Sequence, residues 1–68
     1  MKAEIRNESP NQISGVYIPE EGEQAPQCTW AFSRETGEIY DLTETAVVVV
    51  GYAKTDKEAI GFLEGHRA

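Results

Sequence analysis

The chain has 68 residues, 40% of them hydrophobic, with 12 acidic and 6 basic side chains and a formal charge of −6. That length allows one domain, residues 1–68, and leaves little room for an enclosed active-site cavity, because so short a chain buries only ~60% of the surface its unfolded form exposes. The single cysteine, Cys28, excludes an intrachain disulfide, and the acidic balance disfavours nucleic acid and anionic membrane as partners.

Lys2 to Arg6 alternates polar and apolar residues, which predicts a short first strand. Ser9-Pro10-Asn11 is a turn cluster, since proline presets φ and asparagine bonds its own backbone. Ile13 to Ile18 reads as a second strand, ended by Pro19. Gly15 within it signals a bulge or a close backbone approach. Residues 19–26 carry Glu20, Glu21 and Glu23 between two prolines, a composition suited to a solvated connector or a mobile acidic contact loop.

Residues 27–43 predict a hairpin. A three-residue loop at Glu35-Thr36-Gly37, with Gly37 in the left-handed region, pairs Arg34 with Glu38, Phe32 with Tyr40 and Trp30 with Leu42. In that register Cys28, Trp30, Phe32, Tyr40 and Leu42 face the core, while Thr29, Ala31, Ser33, Ile39, Asp41 and Thr43 face solvent.

Ala46 to Ala53 contains four consecutive valines, stiff at χ1 and suited to extended backbone. A continuous apolar run predicts a central strand covered on both faces. Thr55 and Glu58 have capping-box spacing and open a helix. Ala59, Phe62 and Leu63 mark its apolar face, with Ile60 flanking, and Gly65 is the expected stop. Asp56 in the first turn and Arg67 beyond the last suit the helix dipole. The expected fold class is therefore α+β, a small antiparallel sheet of four to five strands with one C-terminal helix packed on one face, over Trp30 and Phe32. The stretch Gly51–Ala59, a strand running into a capped helix, resembles a junction of many unrelated α+β proteins, the sheet-and-helix antitoxins of the HicB type among them; it implies no function.

Chemistry is thinly represented. Cys28 reads as a small buried hydrophobe, and His66 as a tail residue beyond the helix stop. The acidic loop lacks the ligand order of an EF-hand, no Cys/His set suits zinc, and no phosphate-binding glycine loop is present. The expectation is a protein with no catalytic residues, no metal and no cofactor. No signal-peptide h-region precedes the fold, and Ala46–Val50 is too short to span a membrane, so a cytoplasmic location is expected. The opening Met and the early close after the helix suggest a complete small reading frame.

The charge has a location. Residues 19–44 hold Glu20, Glu21, Glu23, Glu35, Glu38, Asp41 and Glu44 against Arg34, and the flanking segments balance, so this stretch supplies the whole −6. These seven carboxylates are the candidate protein-binding residues. They predict a non-enzymatic module docking on a basic surface of a larger nucleic-acid-handling protein, as an inhibitor or nucleic-acid mimic of the kind mobile elements carry. The alternative is a homodimeric structural protein whose charge serves only solubility, paired through its first strand or the valine run. Tyr17 and Tyr52, if exposed, would be contact anchors.

Overall fold

The computed structural model describes residues 1–66. Five strands follow one another, β1 (Lys2–Ser9), β2 (Gln12–Ile18), β3 (Thr29–Ser33), β4 (Glu38–Leu42) and β5 (Val47–Tyr52), and then one helix, α1 (Asp56–His66). Every strand pairs antiparallel with its sequence neighbour, giving the spatial order β1-β2-β3-β4-β5. The fold is α+β, as expected. The helix lies on one face of the sheet, where its Ala59 and Leu63 join Ile13, Tyr17, Trp30, Phe32 and Ile39 in the core. Arg67, expected to favour the helix dipole, lies outside the described residues.

Gly15 is the close approach that its sequence context signalled. It pairs with Ile5 of β1 and Trp30 of β3, and a methyl group there would overlap the Glu4 carbonyl oxygen and sit 2.9 Å from Trp30 Cζ2. Trp30 is fully buried and its indole N–H donates to the Val16 carbonyl at 2.9 Å, so the largest side chain of the core leaves no polar atom stranded.

The β3–β4 hairpin corrects the expected register. Phe32 pairs with Ile39, Ala31 with Tyr40 and Trp30 with Asp41, one residue away from the sequence-based pairing. The loop is Arg34 to Gly37, closed by the Gly37 amide donating to the Ser33 carbonyl at 2.8 Å and the Thr36 amide to Ser33 Oγ at 3.3 Å. Gly37 does take the left-handed conformation (φ 79°). The slip turns β4 over: Ile39 and Asp41 are buried on the helix side, and Tyr40 and Leu42 move to the opposite face. Trp30 and Phe32 stay in the core as expected, and Ala31, read as solvent-facing, is buried between its cross-strand neighbours Ser14 and Tyr40. The expected pairing leaned on an Arg34–Glu38 charge match, worth only tenths of a kcal/mol at a surface. Arg34 instead reaches across to Asp56 at the start of α1.

The valine run is also placed differently. β5 is an edge strand, not the central one, and Val47, Val48 and Val49 are exposed. A meander of hairpins delivers its last strand to the rim, whatever that strand's composition. α1 begins as read, with the Glu58 amide donating to Thr55 Oγ1 at 3.1 Å. It does not stop at Gly65 but runs to His66, whose ring stacks on Phe62 one turn earlier at 5.8 Å between centroids. The Ala3 amide donates to Glu64 Oε2 at 3.1 Å, fastening the far end of the helix to β1.

Candidate functional site

The seven candidate carboxylates do not form one surface. Glu20, Glu21 and Glu23 lie in the β2–β3 connection and Glu44 in the β4–β5 turn, both at one end of the sheet, whereas Glu35 sits in the β3–β4 turn at the other. Glu38 is half-buried at the start of β4. An acidic run along a chain becomes two separate ends once strands lie within it, because β3 carries the chain from one end of the sheet to the other and β4 carries it back.

Asp41 leaves the candidate set. Its residue exposure is 5%, on the helix side of the sheet, so it cannot meet a partner. Tyr17, the first possible anchor, is buried at 5% as well, and its hydroxyl donates to Asp41 Oδ1 at 2.6 Å. The two residues sit on β2 and β4, with β3 between them, so no local pattern announces the bond. His66 Nε2 lies 3.8 Å from Asp41 Oδ2, at the C-terminal end of α1. The buried Tyr17–Asp41 pair, with the exposed His66 beside it, thus sits where the end of α1 meets the sheet.

The acidic connection is ordered. Glu20 to Glu23 forms a turn with Gly22 at φ 86°, closed by the Glu23 amide donating to the Glu20 carbonyl at 3.0 Å. The Glu20 amide in return donates to Glu23 Oε1 at 2.8 Å, and the Met1 amino group lies 3.2 Å from the same oxygen. These donors, the Glu20 amide foremost, hold the Glu23 carboxyl below its ordinary pKa. Glu21, at the corner of the turn, is exposed.

A feature absent from the sequence reading stands on the sheet face away from α1. Alternation along the strands puts Val16, Tyr40, Leu42, Val47, Val49 and Tyr52 there, and no described element covers them. Tyr52 is 71% exposed and Val47 68%, and Tyr52 pairs directly with Glu38. The Tyr40 hydroxyl donates to Glu38 Oε1 at 2.8 Å. That bond and partial burial raise the Tyr40 pKa, since a phenolate would face the carboxylate. The face thus has an apolar and aromatic centre with a carboxylate at one end of it, beside Tyr52. The one-residue shift of β4 creates this face, placing half-buried Tyr40 and Leu42 there in place of Ile39 and Asp41.

Arg34, the lone base of the acidic stretch, is consumed in a structural clasp. Its Nε and Nη2 donate to the two carboxylate oxygens of Asp56 at 3.1 and 2.6 Å, and its Nη1 to the Ser9 carbonyl at 2.6 Å. Glu8 lies 3.4 Å from Nη2. The paired guanidinium holds the Asp56 carboxyl below its ordinary value, against a smaller opposing effect of burial. A depressed pKa gives stability that is present above the unfolded-state value, about 3.9 for aspartate, and is lost as pH falls through the folded-state value. Urea midpoints of the wild type should therefore fall below about pH 4. In Asp56→Asn that part of the acid limb should flatten; an unchanged limb would show that the clasp carries no pH-linked stability.

Other chemistry is sparse. Cys28 is half-buried against the core. A depression of about 110 Å³ on the β1–β2 hairpin is lined by Asn7, Glu8, Ser9, Gln12 and Ser14, below the several hundred Å³ of an ordinary small-molecule site. Among the described residues no cluster of three or more His, Cys, Asp or Glu side chains could hold a metal ion. No helix among them is long and apolar enough to cross a membrane. Compared with known proteins, the chain matches no family model, no curated protein and no solved structure.

Proposed function

We propose that this protein is a non-enzymatic binding module whose open sheet face docks on a basic surface of a larger protein. One observation carries the reading: the face opposite α1 presents exposed Val47, Val49 and Tyr52 along β5, with Glu38 beside Tyr52 at one end, while the chain bears a charge of −6. Tyrosine is enriched at the centre of interfaces, where its ring is buried and its hydroxyl finds a partner. A carboxylate set among apolar groups selects a partner that brings lysine or arginine to it. Exposed Glu44, Glu20 and Glu21 at the rim would speed the encounter by attraction at longer range. Proteins that handle nucleic acid own such basic surfaces, so an inhibitor occupying a nucleic-acid site is the concrete form of the proposal.

The test is capture of partners from a lysate of the source organism, or of its host if the source is a virus, on immobilised protein. The captured protein is then purified and its kinetics measured with wild type and with Glu38→Lys/Tyr52→Ser. Tyr52 is exposed and Glu38 half-buried on the open face, so the variant's circular dichroism spectrum is first matched to the wild type. Association should slow on the order of tenfold, and raised salt should slow the wild type in the same direction. Equal kinetics for the two proteins, or a captured protein insensitive to salt, would defeat the reading.

A further inference from the structure

The two edges of the sheet are unlike. β1 carries a charged side chain at every second position, Lys2, Glu4, Arg6 and Glu8, the usual protection of a strand edge against pairing. β5 carries none: no charged residue lies between Glu44 and Lys54. Its valines are exposed on both sides of the sheet, with Val47 and Val49 on the open face and Val48, 47% exposed, on the helix face. Phe62, 37% exposed, packs over Gly51 on that same helix face, so apolar surface flanks this edge above and below. A strand apolar on both faces has the composition of an interior strand, yet no described strand pairs with its outer edge.

We infer that the occupant of this edge is a second copy of the chain, paired antiparallel through β5 about a two-fold axis to give a continuous ten-stranded sheet. Charge selects the copy and its direction. Glu44 and Lys54 are both exposed and each lies five positions from Val49. Antiparallel pairing centred on Val49 therefore sets the β4–β5 turn that carries Glu44 beside the segment after β5 that carries Lys54 of the mate, twice by symmetry. Parallel pairing would set like against like. A chain of charge −6 can meet itself here because the seam between those ends is uncharged. The axis, perpendicular to the sheet, keeps both helices on one side, where Val48 and Phe62 of the two copies close over the seam. An isologous contact of this kind stops at two subunits, since each copy uses the one uncharged edge among the described strands.

Sedimentation of the full chain over a wide concentration range tests this apart from any foreign partner, whose capture is read separately. The wild type should show a monomer–dimer equilibrium. Val49→Lys, which sets a charge against its own copy at the centre, should be monomeric with an unchanged circular dichroism spectrum. Glu44→Lys and Lys54→Glu should each weaken the dimer roughly tenfold, and the double exchange should restore it. The exchange also decides the matter should Val49→Lys fail to fold, because both charged positions lie outside the ladder. A monomer at all concentrations, a dimer indifferent to Val49→Lys, or single exchanges that the double exchange does not rescue would each overturn the inference.

Discussion

Gly15→Ala should leave little or no folded protein. The added methyl has nowhere to go: it would overlap the Glu4 carbonyl oxygen, stand 2.8 Å from the Glu4 carbonyl carbon and press on the buried ring of Trp30. The obstacle is backbone, so no rotamer change relieves it, and β1 would have to move away from β2. Overpacking of a tight interior costs about 1–3 kcal/mol and more where backbone must shift. With the Glu4 backbone itself in the way the cost exceeds that range, and against a total stability of roughly 3–10 kcal/mol for a chain of this size it removes most of the margin. Circular dichroism and urea unfolding read the result. Gly61→Ala is the matched control, since a methyl there meets nothing within 4 Å. Within α1 it should gain about 0.5–1 kcal/mol from helix propensity. Gly15→Ala with a wild-type urea midpoint would mean that β1 does not lie as close to β2 as described.

Asp41→Ala should cost about 2–3 kcal/mol, the range for a hydrogen bond to a charged group lost from a buried site. The loss lowers the melting temperature by roughly 10–20 °C in a domain this small. Two effects combine: Tyr17, 5% exposed, loses the acceptor of its 2.6 Å bond, and the end of α1 loses a carboxylate near His66. Tyr17→Phe should show a smaller loss, because the apolar ring remains and only one polar group is removed. The experiment also separates two placements of Asp41. A surface contact residue replaced by alanine changes stability by no more than about 0.5 kcal/mol. A thermal melt within that range of the wild type would return Asp41 to the surface and undo the observed β3–β4 register.

The sequence carried the architecture further than the register. Thr55 and Glu58 announced the start of α1, Gly37 announced the hairpin, and Trp30 and Phe32 declared the face on which the helix lies. Each of these signals is local, a side chain acting on backbone a few residues away. The β4 faces were not legible because their register depends on where Arg34 goes, and its strongest partner, Asp56, is 22 residues distant. The place of β5 was illegible for a related reason. Four valines state a preference for extended backbone and say nothing about strand order, and exposure at an edge is the difference between a core strand and a contact strand. The candidate site suffered most. Seven carboxylates close in sequence suggested one surface, but alternation and strand length sent them to two ends, one face and the interior. Of the two tyrosines whose role turned on exposure, Tyr52 is the most exposed large hydrophobic among the described residues and Tyr17 is interior.

The hairpin-by-hairpin order of the sheet has a kinetic side. Three of the four strand pairs close across short turns and the β2–β3 pair across the longer segment 19–28, and the entropy lost in closing a loop grows with its length. Chains built from such near-neighbour contacts collapse quickly, since little must be surrendered before each contact rewards it. Docking of α1 on the first strands stands outside that regime: its Glu64 accepts from Ala3, 61 positions away. Until α1 docks, Trp30, Phe32 and Ile39 lie on a sheet face that Ala59 and Leu63 do not yet cover. Helix docking is thus the step that turns a run of hairpins into a closed molecule, and until it is complete the core stays open to aggregation.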